Sequence, residues 1–378
     1  MTPPLRVGAT GFALIAVCYG FARFSFGLFL PEIRGDLALS STLAGFISGG
    51  AFAAYCLTII ASARLSERVG PRAVAVAAAL MAGTGMLGIA LCPSAIWLAI
   101  CVVIAGGSTG LASPPMADAV AHSVAARGQD LVNTIINAGT SAGVILSGPI
   151  ALALGSQWRT VFAIFAGVAF VTAVVAFVAL PSATVREDTS GADDRAPVFQ
   201  MNIVRLIGAA FLMGASSTAL WSFGGEIVGA RLDWSTRGGG LLWIAIGAAG
   251  VFGAVAGWLI DRLGINTAHR VFLVALVVGI AITGLSFTTP ILALMGGALF
   301  GLAYVTLTGV YLVWGVTTLP NRPGTGLMVG FLTIAVGQTA GAPLFGLLMS
   351  HASLQIAVCV FAVIGLSAGL FWCRYASN

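Results

Sequence analysis

The chain writes one pattern twice in a single register, and this limits its fold more than any other feature. The stretch Ala63-Arg64-Leu65-Ser66-Glu67-Arg68-Val69-Gly70-Pro71-Arg72 is a polar, arginine-rich hinge between two long apolar runs, and Gly257-Trp258-Leu259-Ile260-Asp261-Arg262-Leu263-Gly264-Ile265-Asn266 repeats it. Leu65 pairs with Leu259, Glu67 with Asp261, Arg68 with Arg262 and Gly70 with Gly264, each 194 positions on. The same offset carries Glu32-Ile33 to Glu226-Ile227, Gly35 to Gly229, Ser41-Thr42 to Ser235-Thr236 and Gly45 to Gly239. An ungapped repeat of this kind implies a doubled structural unit with its seam near the middle of the chain.

The unit is built for lipid. Charged residues are 8% of the chain and hydrophobic residues 59%, where a soluble domain is about a quarter charged. A helix needs about 20 apolar residues to cross the hydrocarbon core. Apolar windows of that size predict twelve spans, at 8–30, 42–63, 73–91, 95–117, 131–153, 158–180, 204–228, 238–260, 269–287, 290–315, 326–349 and 354–373. Two connections are short and carry a proline, Cys92-Pro93-Ser94 and Thr288-Thr289-Pro290, which marks a turn. The first apolar run exceeds a signal-peptide core and no small-residue cleavage site follows it, so it is expected to remain as a span. The expected fold class is an all-α integral membrane protein.

The 17 basic residues are all Arg. With the N-terminus inside, twelve fall on the inner side (Arg6, Arg64, Arg68, Arg72, Arg127, Arg186, Arg195, Arg205, Arg262, Arg270, Arg322, Arg374) and four outside (Arg34, Arg159, Arg231, Arg237). This asymmetry predicts a multi-pass protein of the cell (inner or plasma) membrane with both termini cytoplasmic. The arginines sit one or a few per loop and form no patch, so the net charge of +5 does not point to nucleic acid. The cysteines Cys18, Cys56, Cys92, Cys101, Cys359 and Cys373 lie in or beside apolar runs without metal-ligand or redox spacing and read as small buried hydrophobes. Residues 181–202, small and polar with Glu187, Asp188, Asp193 and Asp194, read as a cytoplasmic linker between bundles at 1–180 and 203–378.

The hinge resembles the signature G-x-L-a-D-R-x-G-R-K of the major facilitator superfamily, with Ala63 in place of the first Gly, Glu67 of the Asp, and Pro71 of one basic residue. The second copy keeps Gly257, Asp261, Arg262 and Gly264. That resemblance implies twelve transmembrane helices in two pseudo-symmetric six-helix bundles, and a gate formed by Glu67, Arg68, Gly70, Arg72, Asp261, Arg262 and Gly264. It also implies that this network locks the cytoplasmic side when the protein is outward-open. Asp118, at the inner end of the fourth span, is the expected partner of Arg68 or Arg72. The plainer alternative is a topology signal with solvated loop charges. In the fifth span Gly139, Gly143 and Gly148-Pro149 loosely resemble the Gly-Pro motif of drug/proton antiporters, but the Gly-Pro falls too early in the spacing and the glycines are read as close helix packing.

An ionisable residue inside a span is a functional candidate. Arg23 lies one turn beyond Tyr19, near the middle of the first span, and its repeat counterpart is the uncharged Ser217. A guanidinium offers a fork of donors matched to carboxylate or phosphate, so Arg23 and Tyr19 are expected to face a central cavity. Further candidates for its walls are Asn137 and Ser141 on the fifth span, Trp221 on the seventh, Tyr304 and Tyr311 on the tenth and Gln338 on the eleventh. Interhelical hydrogen bonding is the competing account of each. No Asp, Glu or His lies near the middle of any span, with His122, His269 and His351 at span ends, so a midplane proton relay has no evident carrier.

Phosphate loops, nucleophile elbows and metal clusters are absent from the sequence, so no enzyme, cofactor or metal site is expected. The expectation is a monomeric secondary transporter of a small organic anion or polar metabolite, working by alternating access. Proton-antiport efflux of drugs or metabolites is the alternative, with protons as coupling ion, and a non-transporting membrane receptor is a third reading.

Overall fold

A computed structural model describes residues 3–155, 157–182, 201–234, 236–320 and 322–374, and these are helical with no strand among them. Twelve elements run through the chain: α1 (Pro4–Leu37), α2 (Ser41–Val69), α3 (Pro71–Ala90), α4 (Ala95–Ser123), α5 (Ala126–Leu154), α6 (Trp158–Ala179), α7 (Met201–Leu232), α8 (Thr236–Leu263), α9 (Ile265–Gly284), α10 (Pro290–Thr318), α11 (Gly324–His351) and α12 (Leu354–Leu370). Ten of them are long and apolar enough to span a membrane. The other two depart from the even count of twelve. α8 is bent, its α-helical segments Thr236–Val251 and Ala256–Leu263 separated by a tighter turn at Phe252–Val255. α12 is a short apolar helix whose last turn is also tightened. The expected linker lies outside the described residues over 183–200.

The termini follow from local chemistry. Ser40, Ser94, Thr289 and Ser353 each accept a hydrogen bond from the backbone N–H three residues on, capping α2, α4, α10 and α12. The two hinge glycines adopt one conformation, φ 83° and ψ 156° at Gly70, φ 76° and ψ 155° at Gly264. That region is open to glycine and closed to residues with a Cβ. Both copies of the motif therefore end one helix and start the next by the same turn.

The packing repeats as the sequence does. α1 packs on α5 and α7 on α11, α2 on α4 and α8 on α10, α3 on α6 and α9 on α12. Gly143 meets the backbone of α1 so closely that a Cβ there would lie 2.2 Å from the Ala16 carbonyl oxygen. Gly337, 194 positions on, stands 2.1 Å from the Phe211 carbonyl of α7 by the same measure. Gly139 also presses on α1, at the Phe12 carbonyl, and Gly148 presses on α8, so the glycines of α5 serve close helix crossing. Between the two sets of six helices, α2 faces α11, α5 faces α8, and α1 faces α7.

Candidate functional site

A cavity of about 680 Å³ lies between the two sets of helices, lined from α1, α2, α4, α5, α8, α10 and α11. Its deep end is built around Arg23. Its other end reaches Asp130 at the start of α5 and Gly257 on the hinge side of α8, so the cavity opens toward the end that carries both arginine-rich hinges. The opposite end is drawn together. Arg34 of α1 forms an ion pair with Glu226 of α7. Thr42 of α2 bonds Ser350 of α11 at 2.9 Å, and Ser48 of α2 bonds Ser222 of α7 at 2.7 Å.

Arg23 is positioned by a local widening of α1. Over Ala16–Phe24 the helix takes the wider π form, and the Ser25 N–H reaches back five residues to the Gly20 carbonyl. Such widened turns concentrate at functional positions. Gly20 permits it by lying flat against Gly143 of α5, where a Cβ would stand 2.4 Å from the Gly143 Cα. Arg23 as a whole is 8% exposed. Rings of Tyr55, Phe52, Phe24 and Tyr19 surround its Cζ at 4.5, 4.7, 5.2 and 5.7 Å, distances at which a ring face attracts a cation. One terminal nitrogen donates to the Gln338 Oε1 at 2.6 Å, and Nε–H is buried without a partner. Among the described residues Arg23 has no carboxylate partner. Burying a cation unpaired is expensive, and here rings and one amide oxygen supply the compensation.

Gln338 ties the cation to the other half. Its Nε2 donates to the Tyr304 hydroxyl at 3.1 Å and to the Ser217 hydroxyl at 3.2 Å. Ser217 is the repeat counterpart of Arg23, so the two equivalent positions of α1 and α7 converge on a single side chain of α11.

Six of the eight sequence candidates line the cavity together: Tyr19, Arg23, Asn137, Ser141, Tyr304 and Gln338. Two do not. Trp221 is buried behind the wall, stacked on Phe24 at 4.0 Å and edge-on to Tyr304 at 5.2 Å. Tyr311 is wholly buried beside His269 and Trp314, with its hydroxyl donating to the Ala209 carbonyl at 3.4 Å. Tyr304, Thr308 and Tyr311 are spaced i, i+4 and i+7 along α10 but do not share one face. Thr308 stays on the wall and Tyr311 turns into the packing between α9 and α10. Ser108 and Thr109 of α4 satisfy their hydroxyls on their own helix and take no part.

The rings of Phe52 and Tyr55 were not foreseen, because they sit inside an apolar stretch of α2 with no polar neighbour to single them out. Asp130 and Ser113 were also missed. Asp130 sits where a helix start ordinarily carries solvated acids, and Ser113 accepts or donates at 2.9 Å to the Tyr19 hydroxyl.

The hinge network is not assembled. Asp118 pairs with His122 one turn along its own helix, at 3.2 Å, and not with Arg68 or Arg72. Arg72 donates from Nε to the Leu180 carbonyl at 2.6 Å, which fastens α3 to the end of α6. Glu67, Arg68, Asp261 and Arg262 are exposed, with Arg262 lying over the Trp258 ring at 4.7 Å.

Comparison with known proteins adds the family. The sequence profile described as Major Facilitator Superfamily matches residues 12–342. No curated protein matches the chain. Among solved structures, a variant of the nucleoside transporter NupG superposes with a TM-score of 0.79 at 12% identity, covering 98% of each chain. The xylose transporter XylE from E. coli, in a partially occluded inward-open conformation, gives 0.79 at 14% identity, covering 97% of this chain and 96% of its own. A bacterial homologue of the human lysosomal transporter Spinster, inward-facing and unoccupied, gives 0.76 at 16%, covering 98% and 96%. At these identities the likeness is one of fold.

Proposed function

This chain belongs to the major facilitator superfamily and is a multi-pass membrane transporter, and on that premise we propose that it carries a small organic anion through the central cavity by alternating access. One observation supports the substrate charge above the others: the cavity ends on a buried guanidinium with an unpartnered N–H and no carboxylate beside it. A fork of donors in a site shielded from water suits a carboxylate or a similar oxyanion. Tyr19, Asn137, Ser141, Tyr304 and Gln338 then form the polar lining that orients the rest of the molecule, and Trp221 supports that wall from behind.

The closed end at Arg34–Glu226 and the open end at the hinges fit one state of a rocking pair of bundles, 1–180 and 203–378, joined by residues 181–202. With both termini in the cytoplasm of a cell-membrane protein, this state faces inward. The motif residues Glu67, Arg68, Arg72, Asp118, Asp261 and Arg262 would then meet when the cavity turns outward, with Gly70 and Gly264 as the turns between helices. Asp130, the acid at the cavity mouth, is the feature that favours proton coupling as an alternative.

Uptake into proteoliposomes tests the reading. Labelled carboxylates, phosphates, sugars and cationic drugs are offered to wild type and to Arg23→Gln. Anion flux in wild type that falls to background in the variant is the expected result. Flux of neutral or cationic compounds that ignores the substitution would overturn the anion reading and favour efflux. Collapse of accumulation by an uncoupler would assign protons as the coupling ion.

A further inference from the structure

Resting on the anion reading above, we propose that the substrate class is a monovalent organic anion with an apolar body of about the size of a substituted ring, and that dicarboxylates and phosphates are excluded. Three features of the cavity carry this. The first is charge count. Among the described lining residues Arg23 is the sole cation, and Asp130 at the opposite end is the sole acid. A second negative charge on the ligand would have no counterion, and along the cavity it would move toward Asp130. Leaving a charge unpaired in a shielded site is far costlier than leaving it in water.

The second feature is the way Arg23 is caged. Four rings crowd the guanidinium and Gln338 occupies one terminal nitrogen. Nε–H is itself enclosed, so what is left for a ligand is the side of the guanidinium at its other terminal nitrogen, Nη1. One edge of a guanidinium matches one carboxylate in a paired fashion. A tetrahedral dianion seeks donors from several directions, and ring faces offer none.

The third feature is the wall of the cavity. Phe24, Ile15, Ile334, Ala335 and Phe331 give the lining an apolar side, while Asn133, Thr134, Asn137, Thr140 and Ser141 gather polar groups on α5. Sugar sites need polar groups on most sides, because every hydroxyl taken from water wants a partner. Here one charged anchor, an apolar side and hydrogen-bonding groups gathered mainly on α5 suit a ligand with one acidic head and an apolar face. A cavity of about 680 Å³ is within the range that encloses small organic ligands.

The test uses the purified full-length protein in detergent, with thermal-shift titrations and direct binding. The probes are phenylacetate, its neutral isostere 2-phenylethanol, succinate and inorganic phosphate. Phenylacetate is expected to raise the Tm and to bind at least tenfold tighter than the other three, and Arg23→Gln is expected to abolish that advantage. The comparison with 2-phenylethanol needs no variant, so it stands even if Arg23→Gln fails to fold. Succinate or phosphate binding as tightly as phenylacetate, and losing affinity in Arg23→Gln, would overturn the monovalent class and leave the anion reading intact. Equal binding of phenylacetate and 2-phenylethanol, or no response to any anion, would overturn both.

Discussion

Replacing Gln338 with Glu separates a substrate anchor from a cation that merely holds two bundles together. Gln338 gives its amide oxygen to Arg23 and its N–H groups to Tyr304 and Ser217. Gln338→Glu keeps the shape of the side chain and supplies the carboxylate that Arg23 lacks. The hydroxyls of Tyr304 and Ser217 can rotate to donate to it, since each is both donor and acceptor. Two unit charges about 4 Å apart attract by ~4 kcal/mol at an effective dielectric of about 20. An anionic ligand draws on attraction of that size in the native site and loses it once the cation is neutralised. A loss of ~4 kcal/mol is about a thousandfold in Kd. The assay is calorimetric titration with phenylacetate beside a melting curve of the unliganded protein. Binding is expected to weaken about a thousandfold while the unliganded Tm holds or rises. Affinity within threefold of wild type, with an unchanged melting curve, would refute the reasoning that an unpaired charge at Arg23 is what the ligand recognises.

Three further outcomes follow from the geometry. Tyr304→Phe removes a hydroxyl that partners Gln338 on the cavity wall and should weaken phenylacetate binding several-fold, as a lost hydrogen bond of ~1 kcal/mol implies, whereas Tyr311→Phe, buried away from the cavity, should leave the same titration unchanged. Gly27→Val forces α1 from α7 where a Cβ would stand 2.1 Å from the Trp221 carbonyl, so a cysteine placed at Ser48 in a background stripped of native cysteines should react faster with a membrane-impermeant maleimide added from outside. The Arg34–Glu226 pair is part-exposed, at 24% and 15%, so a double-mutant cycle with Arg34→Gln and Glu226→Gln should return a coupling of about 1 kcal/mol or less in thermal unfolding.

The fold was legible because lipid allows few solutions. Apolar runs long enough to cross a membrane must be helical, and the single offset from Leu65 to Leu259 demanded that they be arranged twice. The two departures have local causes invisible to a hydropathy window. α8 breaks at Phe252–Val255 where Gly253 meets Val305 of α10, and α12 ends early in a tightened turn. Of the site, the polar members were legible because a polar group in an apolar run is conspicuous. Phe52 and Tyr55 were not, because their work is done by ring faces, and a ring against a cation is spelled with the same letters as a ring against a leucine. Tyr311 misled for the complementary reason: its spacing matched the wall, but a tyrosine hydroxyl can be satisfied by one backbone carbonyl deep in the packing. Asp118 lies beside a histidine one turn along its own helix, a local neighbour that the hinge pattern does not reveal.

In a chain made of two copies, the positions where the copies differ are the ones released from the demands of the shared architecture. α7 runs as an uninterrupted α-helix from Met201 to Leu232, with Ser217 bonded back to the Gly214 carbonyl of its own turn. α1, its equivalent, widens over Ala16–Phe24 and carries a buried cation at the matching place. Packing cannot require this, since α7 makes the corresponding crossing onto α11 without either feature. A widened turn gives up regular hydrogen bonds, and a buried guanidinium gives up its hydration. Both costs fall on the same nine-residue stretch of α1, and both serve to put one positive charge at the closed end of a cavity that its twin helix leaves neutral. The asymmetry therefore supports the role proposed for Arg23 independently of any likeness to known transporters. It also explains why Gln338, whose amide can accept from Arg23 and donate to Ser217, holds the two unlike halves together when no ligand is bound.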